Sequence, residues 1–160
     1  MAKKINKTNA MRALDNLKME YEITEYDISD GKIDGVSVAE KVGKLTDEVF
    51  KTLVTQSPNR NYYIFVVPVD HELNLKKCAK ACGEKSVEMI AVKDITKITG
   101  YIRGGCSPLA MKKQYPTYIH ESAKNLPQIT VSGGKCGLQI TLNPEDLIKA
   151  CEGNYADLTF

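Results

Sequence analysis

Two short segments of this 160-residue chain bring together residue types that can do chemistry. The first is Gly100-Tyr101-Ile102-Arg103-Gly104-Gly105-Cys106-Ser107-Pro108-Leu109, where two glycines precede Ser-Pro. Backbone without side chains can come within contact distance of a ligand, and its N–H groups can converge on a carbonyl oxygen as it becomes negative. One well-placed donor of that kind is worth about 3 kcal/mol in a transition state. The same residues also suit a tight turn that needs a positive φ, and the two readings are compatible. The second segment is Lys51, set in the apolar strand-like run Phe50-Lys51-Thr52-Leu53-Val54. Either Lys51 leaves an edge for water, as strand lysines mostly do, or it points into a cleft with apolar walls. There an ammonium would hold a carbonyl or ribose oxygen more strongly than in water. Cys106 and Ser107 are nucleophilic types, but no histidine or acid beside them in sequence supplies an activating base.

Five cysteines, at 78, 82, 106, 136 and 151, form no CxxC pair, and an odd number argues against a complete disulfide framework. Cys78 and Cys82 are four residues apart on an expected helix and so share a face. The two histidines, His71 and His120, have no motif linking them to that pair. Buried thiols are the expectation, with no metal and no cofactor. A net charge of +2 is too small to grip nucleic acid by charge alone, so any such binding is expected to be weak or shared, with no DNA partner. Lysines cluster at Lys76-Lys77-Lys80 and at Lys112-Lys113, either as solvated faces or as phosphate contacts. The longest apolar stretch, Tyr62 to Val69, is strand-sized, so no membrane role is expected. Met1-Ala2-Lys3-Lys4 lacks the apolar core of a signal peptide, which leads to a cytoplasmic expectation.

The elements that must position these residues are short. Ala10, Met11, Leu14 and Leu17 recur at helical spacing after the caps of Asn6 to Asn9, predicting a helix to about Lys18. Tyr21 to Tyr26 reads as a strand, followed by a loop from Asp27 to Gly35 and a short helix capped by Ser37. Phe50 to Thr55 and Tyr62 to Val69 should pair antiparallel across Ser57-Pro58-Asn59-Arg60-Asn61. Asn74 caps a helix through Cys82, and Gly83 supplies its left-handed exit. Further strands are expected over Val87 to Ile90, Tyr101-Ile102, Thr117 to His120, Ile129 to Ser132 and Leu138 to Leu142, with a short helix from Asp94 to Thr99. Asn143-Pro144-Glu145-Asp146 opens a last helix that Gly153 should close. One domain over residues 1–160 is the natural reading of this length. Short strands mixed with short helices, without regular alternation, indicate an α/β or α+β fold with a mixed, mostly antiparallel sheet.

The order of blocks along the chain resembles the YbaK/EbsC family of aminoacyl-tRNA deacylases. The blocks are Phe50-Lys51-Thr52-Leu53, Leu73 to Lys77, Lys85 to Met89, the glycine loop, and Val131-Ser132-Gly133-Gly134-Lys135-Cys136-Gly137-Leu138. The resemblance implies a curved, barrel-like sheet flanked by helices, as in the editing domain of prolyl-tRNA synthetase. It implies hydrolysis of mischarged tRNA in trans, most similar to the branch acting on Cys-tRNA(Pro), in which the substrate's own thiol attacks its ester. Its site residues carry over as Lys51, Gly104 and Gly105 for catalysis, and Tyr26, Thr52, Ser107, Pro108, Gly133 and Gly134 for substrate binding. A simple hairpin turn explains Gly133-Gly134 equally well. The implied partners are the cysteine-bearing acceptor end of tRNA(Pro) and, transiently, prolyl-tRNA synthetase. A deacylase of the Ala-tRNA branch and a noncatalytic module binding an aminoacyl or tRNA end are the alternatives. Two positions depart from the family pattern. Ala110 stands where a glycine is usual, a slim replacement, and Cys136 stands where an arginine commonly follows Gly-Gly-Lys.

Overall fold

The computed structural model describes residues 6–160, so the reading of Met1 to Lys4 lies outside the described residues. Five helices and eight strands follow one another without regular alternation: α1 (Asn9–Asn16), β1 (Glu22–Glu25), α2 (Gly35–Lys41), β2 (Phe50–Gln56), β3 (Tyr62–Pro68), α3 (Leu75–Cys82), β4 (Glu88–Met89), α4 (Ile95–Thr99), β5 (Thr117–His120), β6 (Ile129–Ser132), β7 (Leu138–Leu142), α5 (Pro144–Cys151) and β8 (Asn154–Ala156). The fold is mixed α/β. Its strands form two sheets, ordered β1-β7-β6 and β4-β2-β3-β5-β8, rather than one closed barrel. All pairs are antiparallel except β3–β5 and β5–β8. The two sheets are stitched where the start of β2 meets β6, through a parallel bridge between Val49 and Thr130 and a Thr130 N–H to Glu48 C=O bond of 2.9 Å.

Strand β3 is the spine because both of its faces are apolar. Ile64 and Val66 look into the main core with Met11 and Leu14 of α1, Ile129 and Val131 of β6, Ile140 and Leu142 of β7, and Leu147 of α5. Phe65 and Val67 face the other way onto Cys78 and Ala79 of α3 and onto Leu158. That two-sided burial is what a continuous run from Tyr62 to Pro68 dictates, since successive side chains leave a strand on opposite faces. Helix α3 starts where Asn74 Oδ1 accepts from the N–H groups of Lys76 and Lys77, and it ends at Gly83 with φ +74°. Helix α5 starts with Asn143 capping Glu145 N–H and Pro144 in the first turn.

Several boundaries differ from the sequence reading. Asp34, not Ser37, caps α2, and Ser37 donates to it instead. The left-handed exit of α5 falls on Glu152 (φ +52°) rather than on Gly153. Strand β8 went unpredicted because Asn154-Tyr155-Ala156 has no alternation; it forms by pairing in parallel with the already buried β5. Tyr101 and Ile102 are not a strand. Tyr101 is buried, with its hydroxyl donating to the carbonyl of Leu109, and it pins both ends of the irregular glycine loop. Among the described residues no helix is long and apolar enough to cross a membrane.

Candidate active site

The site arises from a gap in the sheet. Strand β2 is paired with β3 over its full length, from Phe50↔Pro68 to Gln56↔Tyr62. Along its other edge β6 reaches only the beginning, at Val49, and β4 only the end, at Thr55 and Gln56. Between them lies a cavity of about 710 Å³ lined by Val49 and residues 50–54 of β2, the glycine loop, Tyr26, and the facing ends of β6 and β7.

Lys51 lines this cavity together with Phe50, Leu53, Val54 and Ile90. Burial lowers the Lys51 pKa from its ordinary value, and the nearby Glu72 and Asp70 carboxylates oppose that shift by favouring the charge. The result is a half-buried ammonium in no ion pair among the described residues and available to a ligand oxygen.

The glycine loop lines the same cavity through Gly104, whose φ of +85° is the left-handed conformation that glycine adopts without steric cost. A β-carbon there would stand 2.9 Å from Cys136 Sγ and 3.0 Å from Ile33 Cδ1, so the loop is sandwiched too closely for a side chain. Cys136, at the position where an arginine is usual, therefore packs behind the loop, and its thiol donates to Arg103 C=O at 3.4 Å. Ala110 takes φ +55°, so what a glycine supplies at that position is backbone freedom rather than slimness.

Of the nine residues predicted for the site, Tyr26, Lys51, Thr52 and Gly104 line the cavity. The other five are not among its lining residues. Gly105 N–H is spent on Ile102 C=O at 3.0 Å, closing the turn, and so is not free to meet an oxyanion. Ser107 is fully buried and its Oγ accepts from Leu109 N–H at 3.3 Å, while the adjoining Pro108 is buried with it. Gly133 N–H bonds Leu138 C=O at 2.9 Å, and Gly134 N–H bonds Ser132 Oγ at 3.2 Å with φ +96°, which is the hairpin-turn reading of that pair.

Sequence reasoning missed Gln139, Ser132, Arg103 and the Ile33-Asp34-Gly35 segment, all of which line the cavity. Gln139 had a signal: it is the lone amide in Leu138-Gln139-Ile140-Thr141-Leu142, a strand buried at every position. Among the described residues no activated nucleophile lines the cavity. Burial pushes the Cys106 thiol up to about 11, so it stays protonated at neutral pH. Asp34 is held below the usual carboxylate range by Ser37 and caps α2, which makes it a poor base. His71 and His120 lie together at the C-terminal tail, bonded to Thr159, away from this cavity. Of the lysine clusters, Lys77 is engaged by Asp157 and the carbonyl of Thr159, while Lys112 reaches Lys97 C=O next to the exit of α4 that leads into the glycine loop.

The cavity thus brings the Lys51 cation together with Gly104 and Arg103 of the glycine loop and with the polar side chains of Thr52, Ser132 and Gln139. The chain belongs to the aminoacyl-tRNA editing domain family, whose model matches residues 34–150. It is similar to the Enterococcus faecalis protein named "Putative Cys-tRNA(Pro)/Cys-tRNA(Cys) deacylase EbsC", at 47% identity over 99% of this chain and 98% of that one. Its fold is shared with a solved structure described as "a putative trans-editing enzyme for prolyl tRNA synthetase" (TM-score 0.81, 22% identity, 93% of each chain). It is also shared with the hypothetical protein APE2540 (TM-score 0.87, 18% identity, 96% of this chain and all of that one).

Proposed function

We propose that this protein deacylates mischarged aminoacyl-tRNA in trans, with Cys-tRNA(Pro) as its preferred substrate. The observation that carries this reading is the meeting of Lys51 and Gly104 in one cavity, within a chain 47% identical to the Enterococcus protein named for that activity. Lys51 would attract the ester carbonyl oxygen as it becomes negative, and the Gly104 segment would let the substrate's backbone-like atoms lie flush against the protein. The absence of a deprotonated thiol or a positioned base among the cavity's lining residues fits a reaction in which the substrate brings its own nucleophile. The cysteinyl sulfur would attack its own carbonyl carbon, the carbon–oxygen bond to the ribose would break, and the thiol proton would end on the released ribose oxygen. Water then opens the resulting thiolactone to free cysteine.

Such an activity answers a limit of recognition, because a side-chain difference of one methylene separates substrates by only about 1–3 kcal/mol in an apolar pocket. Prolyl-tRNA synthetase is the proposed transient partner. A chain with a net charge of +2 gains tRNA affinity by linkage to a protein already holding that tRNA. A deacylation panel with Cys-, Ala-, Ser- and Pro-tRNA(Pro) tests the proposal. Rapid release of cysteine with serine left in place is expected. Hydrolysis of Ala-tRNA alone would move the protein to the alanine branch, and rates equal to those of the blank would reject catalysis.

A further inference from the structure

Beyond the lysine and the glycine loop, two residues that line the cavity carry polar side-chain atoms that the fold leaves without partners. Gln139 is only 5% exposed on β7, and its Oε1 accepts no hydrogen bond; Thr52 Oγ1 on β2 is likewise unpartnered. Among the described residues only one further buried side-chain atom shares this condition, Ser122 Oγ, and it lies outside the cavity. An unsatisfied buried acceptor costs about 1–3 kcal/mol, so two gathered at one cavity mark a place where a ligand's donor completes the bonding.

The main chain of β2 adds a third acceptor. Peptide groups alternate between the two edges of a strand. Val49 C=O points to β3, where it accepts from Val69 N–H at 2.9 Å, whereas Glu48 C=O and Val54 C=O point to the other edge, accepting from Thr130 N–H at 2.9 Å and Ile90 N–H at 3.2 Å. By that alternation Thr52 N–H and C=O face the gap, midway between the reach of β6 and that of β4.

We propose that Gln139 and the unpaired edge of β2 at Thr52 form a subsite for the free α-amino group of the aminoacyl ester. This rests on the deacylase reading above and names how that substrate is held. A protonated amine offers three N–H donors, and Gln139 Oε1, Thr52 Oγ1 and Thr52 C=O are three acceptors. Among the cavity's donors, Lys51 Nζ and the Thr52 N–H are left for the ester oxygens. Gln139 supplies its acceptor without adding a further charge to a cavity that Lys51 and Asp34 already line.

The test is calorimetric binding of two non-hydrolysable ligands, the 3′-amide of cysteine with 3′-amino-3′-deoxyadenosine and its counterpart lacking the α-amino group. The wild-type protein should bind the amino compound at least tenfold more tightly. Gln139→Leu should cut that preference below threefold while melting no lower than wild type, because it removes an unpartnered buried amide. Should that variant fail to fold, Gln139→Met takes its place. Equal affinity of the two ligands for the wild type, no binding of either, or a full preference kept by the folded variant would overturn the proposal. A preference for the amino compound without turnover of Cys-tRNA(Pro) would keep the subsite and reject the deacylase. Turnover of N-acetyl-Cys-tRNA(Pro) at the rate of Cys-tRNA(Pro) would keep the deacylase and reject the subsite.

Discussion

Replacing Lys51 by methionine keeps the length and the apolar stem of the side chain and removes only the charge. Lys51 is half-buried among Phe50, Leu53, Val54 and Ile90, so an effective dielectric of about 20 is appropriate to its surroundings. A full charge pair about 4 Å apart is then worth ~4 kcal/mol. The acyl oxygen acquires roughly half a charge on the way to its tetrahedral state, so Lys51→Met should cost ~2 kcal/mol, or about 30-fold in single-turnover rate. The loss should fall on the rate of the bound complex rather than on KM, because the charge being met develops only in the transition state. Stability should move the other way. Burial lowers the folded-state pKa of Lys51, so folding disfavours its charged form at neutral pH, and Lys51→Met should melt no lower than wild type. The assay is single-turnover release of cysteine from Cys-tRNA(Pro), paired with a thermal melt of each protein. A rate within threefold of wild type, with the melt unchanged, would refute the role assigned to Lys51.

Four further outcomes are expected. Gly104→Ala must place a β-carbon at φ +85° and 2.9 Å from Cys136 Sγ, so it should destabilise by about 1–2 kcal/mol in denaturant titration and slow deacylation by distorting the cavity wall. Ala110→Gly relieves a left-handed alanine at φ +55° and should stabilise by about 0.5–1 kcal/mol, read as a rise of about 2–4 °C in Tm at most. Asn74→Ala removes the cap of α3 and should cost about 1 kcal/mol without touching the rate per folded molecule. His120 Nδ1 accepts from Leu158 N–H at 3.2 Å, and burial lowers its pKa, so the folded state binds the neutral ring. Its contribution to stability is full above the unfolded pKa of about 6.5 and is lost as pH falls through the lower folded value. A Tm–pH curve should therefore decline below pH ~6.5, and His120→Gln should flatten that part of it.

Much of the framework was written locally. The caps at Asn74 and Asn143, the left-handed glycines at 83 and 104, and the apolar runs of β2 and β3 act within a few residues, so periodicity and turn chemistry identify them. The same holds for the candidacy of Lys51 and Gly104, whose residue types are unusual in their own immediate surroundings. Local context could not say which hydrogen bonds each loop spends on itself: Gly105, Ser107, Gly133 and Gly134 carry the expected chemistry but satisfy their own turns. Nor could it reveal a site made by absence. The cavity exists because β6 and β4 meet opposite ends of β2 and leave Thr52 bare between them, and Gln139 enters it only through the pairing of β7 with β6. Sequence thus determined most of the elements, β8 and the stretch at Tyr101-Ile102 excepted, and the candidate cation and glycines, because those obey near-neighbour rules. Tertiary structure alone decided the gap and its unpartnered acceptors, because strand reach and register are properties of segments distant along the chain.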